Sequence, residues 1–162
     1  MKKTVIVLII VSVIILTIIT LSYVFYLIEV RTLQDTAEKF IRAVQSKDKN
    51  VLEKISGGRI FVNLFSGDDS SREYYLEEIV NKFPNDAEIR FLKSYRATEF
   101  SQNERRRYGS MSWKINILVI SHSRQYIGGY IFYISKLEDT DKENGSYAYK
   151  VIDISNVGEI SF

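Results

Sequence analysis

The segment TVIVLIIVSVIILTIITLSYVFYLI, residues 4–28, decides how the chain divides. It contains no charged residue, and as an α-helix it would be about 37 Å long, which exceeds the roughly 30 Å of a bilayer's hydrocarbon layer. Tyr23 and Tyr26 lie near its end, where amphipathic rings favour the membrane interface. A cleaved signal peptide has a shorter apolar region followed by small residues, which the bulky stretch LSYVFYLIEV does not provide. We therefore predict an uncleaved membrane anchor at 1–30 and a separate domain at 31–162.

The charges beside the anchor predict its orientation. Lys2 and Lys3 precede the apolar segment in a tail of only three residues. Positively charged flanks tend to remain in the cytoplasm, although Arg31 on the other side weakens the asymmetry. The expected product is a single-pass protein of the cell membrane with a cytoplasmic N-terminus and an extracytoplasmic C-terminal domain.

The amino-acid composition of the chain argues against several classes of function for the domain. The chain has 22 Lys and Arg against 20 Asp and Glu, so no global positive field would attract nucleic acid. Cysteine is absent, which excludes disulfides, thiolate nucleophiles, thiolate metal sites and a lipid-modified cysteine. His122 is the only histidine. We expect no metal, no cofactor, no nucleic acid partner and no enzymatic activity.

The first half of the domain has the apolar spacing of helices. Residues 32–45 carry apolar side chains at three- and four-residue intervals, which predicts an amphipathic helix. Asp48 can cap a short second helix, and the run IFVNLF at 60–65 resembles a strand or a buried connection. Ser70, with a glutamate three residues later, predicts the start of a third helix that ends at Pro84.

After the proline the period of the apolar residues changes from 3.6 to 2, which is typical of strands. The predicted strands cover 89–97, 111–119, 126–137 and 149–154, with a last short strand ending at Phe162. An Asn-Gly pair at 144–145 predicts a hairpin turn, and the two glycines at 128–129 predict a bulge or a close backbone approach. Helices followed by antiparallel strands indicate an α+β domain in which a curved sheet wraps the helices.

Two stretches carry a resemblance to a known family. AEKFIRAVQSKDKNVLEKIS at 37–56 opens the domain, and YKVIDIS at 149–155 closes it. Together with the order of elements over 33–162, they resemble the NTF2-like superfamily, a cone-shaped α+β fold, although Tyr149 stands where many members have Trp. The family includes isomerases, dehydratases, ligand carriers and membrane-anchored scaffolds of secretion or conjugation machines. The resemblance to anchored members implies an assembly or binding role.

The segment SQNERRRYGS at 101–110 is the candidate binding site. Arg105, Arg106 and Arg107 follow one another, with Tyr108 beside them. Guanidinium groups bind phosphate and carboxylate in a bidentate manner, so this loop could hold anionic lipid head groups or an acidic protein surface. The alternative is a solvated hairpin tip, which is the usual place for a run of like charges.

Two other candidates have weaker patterns. His122, near a strand end, could act as a general base with Asp153, but a lone histidine there is more often a surface residue. DTDKEN at 139–144 has the alternating acids that begin a calcium loop, without its glycine and its final glutamate. We expect neither a catalytic site nor a metal site at these positions.

The predicted strands are rich in aromatic residues, which could line a pocket or fill a core and a partner interface. They are Tyr95, Trp113, Tyr126, Tyr130, Phe132, Tyr133, Tyr147 and Tyr149. The strand at 126–137 is apolar on both faces, which suits helices on one side and a partner on the other. Our leading hypothesis is a non-enzymatic, membrane-anchored extracytoplasmic binding or scaffold domain of a cell-envelope assembly, with protein partners or self-association. The alternatives are a carrier or sensor of a small apolar ligand and, third, an isomerase-like enzyme.

Overall fold

A computed structural model describes residues 2–138 and 147–161 of the chain. The chain divides into two compact units, Met1–Thr32 and Leu33–Phe162. The predicted Asn-Gly turn at 144–145 and the acidic run at 139–144 lie outside the described residues.

The first unit consists of helix. Helix α1 begins at Lys2 and ends at Gln45, where the sequence predicted its end. Its apolar side chains from Ile6 to Ile28 are exposed, and the helix is long and apolar enough to cross a membrane. The hydroxyls of Ser12 and Thr17 donate to carbonyl oxygens four residues earlier at 2.9 and 2.8 Å, so these polar groups are satisfied within the helix. These features are compatible with a single-pass membrane protein.

Three short helices follow in the second unit: α2 at Lys49–Ile55, α3 at Gly58–Phe65 and α4 at Asp69–Lys82. The predicted cap of α2 is confirmed, because the Asp48 carboxylate accepts a hydrogen bond from the Val51 N–H at 3.1 Å. Helix α4 ends at Lys82, two residues before the proline, as predicted.

Two expectations for these helices are wrong. The run at 60–65 is part of α3, because its buried residues Ile60 and Leu64 are four positions apart and so share one helical face. Helix α4 begins before Ser70, because the carboxylate of Asp68 accepts the Ser71 N–H at 2.9 Å and also binds nearby hydroxyls.

Four antiparallel strands form one sheet in the order β1-β2-β3-β4, which confirms the α+β class. Strand β1 covers Glu88–Arg96, β2 Ser112–Ser121, β3 Tyr126–Glu138 and β4 Tyr147–Ser161. The prediction of a separate last strand is wrong, because β4 is continuous. Its pairing with β3 shifts between Gly129 and Tyr130, so a bulge bends β4 there without interrupting it.

The two faces of the sheet carry separate cores. The inner face packs against the helices, where Phe40, Phe83, Tyr130 and Phe132 are fully buried. Their ring centroids lie 5.9 Å apart for Phe40 and Phe132, and 5.2 Å apart for Phe83 and Tyr130. The outer face carries a smaller cluster built from Ala97, Phe100, Tyr133 and Ile152.

Candidate functional site

The predicted loop at 101–110 contains a short helix, α5, at Gln102–Tyr108, preceded by a 3₁₀ turn at Ala97–Glu99. A capping box begins α5: the Ser101 hydroxyl accepts the Glu104 N–H at 3.3 Å, and the Glu104 carboxylate accepts the Ser101 N–H at 2.8 Å. Gly109, with a φ of 81°, ends it. The expectation of an irregular loop is therefore wrong, because this local cap supports a helical turn.

Helix α5 packs on the outer face through one side. Glu104, Arg107 and Tyr108 have the spacing of one helical face, and all three bond to residues of the sheet. Arg105 and Arg106 are exposed and lie away from those contacts. The four predicted binding residues thus separate into two that hold α5 in place and two that face solvent.

One contact of α5 involves a buried carboxylate on β4. Asp153 is buried, and its Oδ2 accepts hydrogen bonds from the Tyr108 hydroxyl at 2.9 Å and from the Arg107 guanidinium at 3.1 Å. The Tyr108 ring also stacks on Tyr133, with centroids 3.9 Å apart. Burial raises the pKa of Tyr108, and its hydrogen bond to Asp153 raises it further. Tyr108 therefore stays a neutral donor at physiological pH.

The other contact involves Glu104. Its Oε1 accepts hydrogen bonds from the Tyr133 hydroxyl at 3.0 Å and from the Lys114 ammonium at 3.1 Å. Burial acts to raise the pKa of Glu104, but hydrogen bonds from Ser101, Lys114 and Tyr133 outweigh it and lower the pKa to about 2. Burial, followed by the bond to Glu104, raises the pKa of Tyr133 to about 12.

Both carboxylates are therefore occupied as acceptors. A carboxylate with a pKa near 2 is a weak base, and Glu104 already accepts three or more hydrogen bonds. The arrangement fastens α5 to the sheet. Among the described residues, no group of three or more His, Asp or Glu side chains could hold a metal ion.

The sequence did not single out Glu104 and Lys114 as partners, although one signal was present. Ser101 and Glu104 have the spacing of a capping box, which marks the start of a helix. The pairing of Glu104 with Lys114 joins residues ten positions apart, and that of Arg107 with Asp153 joins residues 46 apart. Only the strand register brings these pairs together.

The suggested pair of His122 and Asp153 is not formed. His122 is exposed in the turn between β2 and β3. Asp153 pairs with Tyr133, whereas the turn joins β3 at Tyr126, seven residues away and thus about 23 Å along the strand. The turn itself is held by Asp86, whose carboxylate accepts the Ser121 hydroxyl at 3.0 Å.

Large buried side chains pack between the helices and the inner face. Besides the buried rings, the Tyr126 and Tyr130 hydroxyls are hydrogen-bonded, and Tyr130 donates to Glu159 at 3.0 Å. Burial raises the pKa of Tyr130, and these two partners raise it further. A Cβ at Gly128 would overlap Tyr126 and would lie 2.7 Å from the Tyr130 ring, which confirms the predicted close approach. The carrier hypothesis gains no support from this packed interior.

The part of the outer face beyond α5 carries a group of apolar side chains, which we call the outer patch. Val157 is 66% exposed, and the other members are partly exposed: Leu118, Ile120, Ile127 and Ile131. Strand pairing places Ile120 next to Ile127, and Leu118 next to Gly129. Leu118, Ile120 and Ile127 pack against neither of the two buried clusters of the described chain, whereas Ile131 borders the smaller one. Apolar groups on an open sheet face are typical of an interaction surface.

The sequence matches no protein-family model and no curated protein. The α+β class is shown by the structure, which contains helices and a four-stranded antiparallel sheet. The resemblance to the NTF2-like superfamily stays a prediction.

Proposed function

We propose that this chain is a membrane-anchored, extracytoplasmic domain that binds a protein partner in a cell-envelope assembly through the outer patch, without catalysing a reaction. The observation that carries the proposal is the outer patch itself. Leu118, Ile120 and Ile127 are adjacent on one face and contribute to no buried cluster of the described residues. Burying such side chains against a partner gains about 25 cal/mol per Å² of apolar area.

The packed aromatic core of the domain favours a partner that binds on the surface over a ligand that binds in the interior. Phe83, Tyr130 and Phe132 are fully buried and pack ring against ring, with centroid distances of 5.2 and 5.6 Å around Phe83. A partner that binds this domain would therefore meet its surface. We also propose the NTF2-like fold for this unit, since helices followed by an antiparallel sheet are compatible with it.

The anchor supports a role at the membrane. Helix α1 is long and apolar enough to span the bilayer, and its apolar side chains from Ile6 to Ile28 are exposed. The extracytoplasmic side is part of the proposal and rests on Lys2 and Lys3 before the span. An assembly in the envelope would place the domain where partners anchored in the same membrane are concentrated.

A site-specific photo-crosslinker tests the proposal in intact cells. Full-length protein would carry the crosslinking amino acid at Ile127, within the outer patch, or at His122, in the exposed turn nearby. We expect a discrete protein adduct from position 127 and no comparable adduct from position 122. A second change, Leu118→Lys, should abolish the adduct at 127, because a charge would be buried in the apolar contact.

Two outcomes would count against the proposal. Equal adducts at both positions would show that the crosslinker reports only crowding. An adduct at 127 that survives Leu118→Lys would show that the apolar patch does not form the contact.

A further inference from the structure

A second surface feature lies on the helical side of the domain. A groove of about 580 Å³ lies between α3 and α4. Each of its lining side chains carries an oxygen or nitrogen atom that can form hydrogen bonds. These residues are Asn63, Ser66, Ser70, Ser71, Tyr74, Tyr75 and Glu78.

One wall of the groove is an exposed aromatic ring. Tyr74, on α4, is 74% exposed. Tyr147, an exposed tyrosine on strand β4, is 59% exposed. Tyr74 lies between Ser70 and Glu78, each four residues away, so the three share one helical face. An exposed ring costs free energy in water that a stacked ligand would recover.

The polar groups of the groove are partly fixed by bonds within the domain. The Ser70 and Ser71 hydroxyls donate to Asp68, the latter at 2.8 Å, so their oxygen atoms remain available as acceptors. Asn63 hydrogen-bonds to the Tyr75 hydroxyl. A groove with pre-oriented acceptors and donors loses little entropy when a polar ligand binds.

The charge of the groove restricts the ligand further. Glu78 is the acidic lining residue, and Lys82 neutralises it at 2.5 Å. Asp68 lies beside the groove and accepts from the Ser70 and Ser71 hydroxyls, so its carboxylate would repel an anionic ligand there but not an uncharged one. The fitting ligand has hydroxyls at its edge and an apolar CH face that can stack on the ring.

We propose that this groove binds an uncharged glycan chain, with Tyr74 stacking on a sugar ring. The inference is independent of the outer patch and of the orientation in the membrane. It assigns the groove a ligand of a different chemical class from the protein partner.

The test uses the full chain in lipid nanodiscs, purified without glycoside detergents, whose sugar head groups would compete. Chitotetraose, cellotetraose and maltotetraose are titrated separately and followed by saturation-transfer NMR. At least one should bind. Tyr74→Ala should weaken that binding about three- to tenfold, as expected for one lost stacking contact.

Two further variants make the result specific. Tyr147→Ala removes an exposed tyrosine elsewhere and should leave binding unchanged. Tyr74→Trp keeps an aromatic ring and should preserve binding. Absence of binding by all three sugars, or equal effects of Tyr74→Ala and Tyr147→Ala, would overturn the proposal.

Discussion

Replacing Glu104 with glutamine should make the domain less stable at neutral pH and remove part of its acid sensitivity. Hydrogen bonds hold the pKa of Glu104 at about 2, compared with an ordinary value of 4.5. Its side chain is only 22% exposed, so solvent screens the interaction weakly. The difference in pKa corresponds to about 3 kcal/mol of unfolding free energy at neutral pH, as an upper bound. The glutamine can still accept a bond from Tyr133, so we expect a loss of about 1 to 3 kcal/mol.

The pH dependence gives the sharper test. Because the pKa of Glu104 is lower in the folded state, its contribution is fully present above about pH 5. The contribution is lost progressively as the pH falls from about 4.5 towards 2, because the unfolded state binds a proton in this range that the folded state does not. The unfolding free energies of the parent and of Glu104→Gln should therefore converge on acidification.

Urea unfolding of the full chain in nanodiscs can measure this difference. Trp113 is the only tryptophan and lies edge-on to Tyr149, with ring centroids 5.3 Å apart, so its fluorescence reports on the sheet. Glu53→Gln, at an exposed position on α2, is the matched control and should follow the parent within about 0.5 kcal/mol. A Glu104→Gln protein as stable as the parent at pH 7, or a stability difference that is as large at pH 3 as at pH 7, would refute the reasoning.

Three other predictions use the same full-length protein. Arg107→Ser should lower the unfolding free energy by about 1 to 3 kcal/mol, because it removes a charged bond to a buried carboxylate. Changing Arg105 and Arg106 together should alter the unfolding free energy by less than about 0.5 kcal/mol. Equal losses for the two variants in thermal scans would contradict the placement of α5. Gly128→Ala should cost about 1 to 3 kcal/mol by overpacking two tyrosine rings, while Gly158→Ala, with no atom within 4 Å of the added Cβ, is the control in urea unfolding. Protease added to spheroplasts should digest the domain and spare cytoplasmic proteins, and full protection would reverse the predicted orientation.

Local signals were sufficient for much of the fold. The end of α1 at Gln45 follows from the apolar spacing, and the end of α4 follows from the proline, which restricts the residues before it. The strands were visible because apolar and polar residues alternate. The run at 60–65 was misassigned because six apolar-rich residues fit both periods, and only packing of Ile60 and Leu64 on the core decides for a helix.

The candidate site was less predictable because its contacts are distant in sequence. Three consecutive arginines suggest one uniform basic surface. All three are exposed, but the helical turn separates them, so that Arg107 bonds to the buried Asp153 while Arg105 and Arg106 lie away from that contact. This division depends on the strand register that places Asp153 beside Tyr133, and no local pattern contains that register.

The outer patch and the exposed arginines of α5 are connected through Ile131, which belongs to the patch and also packs against the cluster beneath α5. A stable protein interface covers about 800 Å² on each partner, which is more than five partly exposed apolar side chains provide. A partner centred on the patch would therefore extend onto neighbouring polar surface. Interfaces commonly have an apolar centre and a charged rim, and rim charges mainly accelerate association. Arg105 and Arg106 could serve as part of that rim, so the basic segment and the apolar strand would contribute to one binding surface.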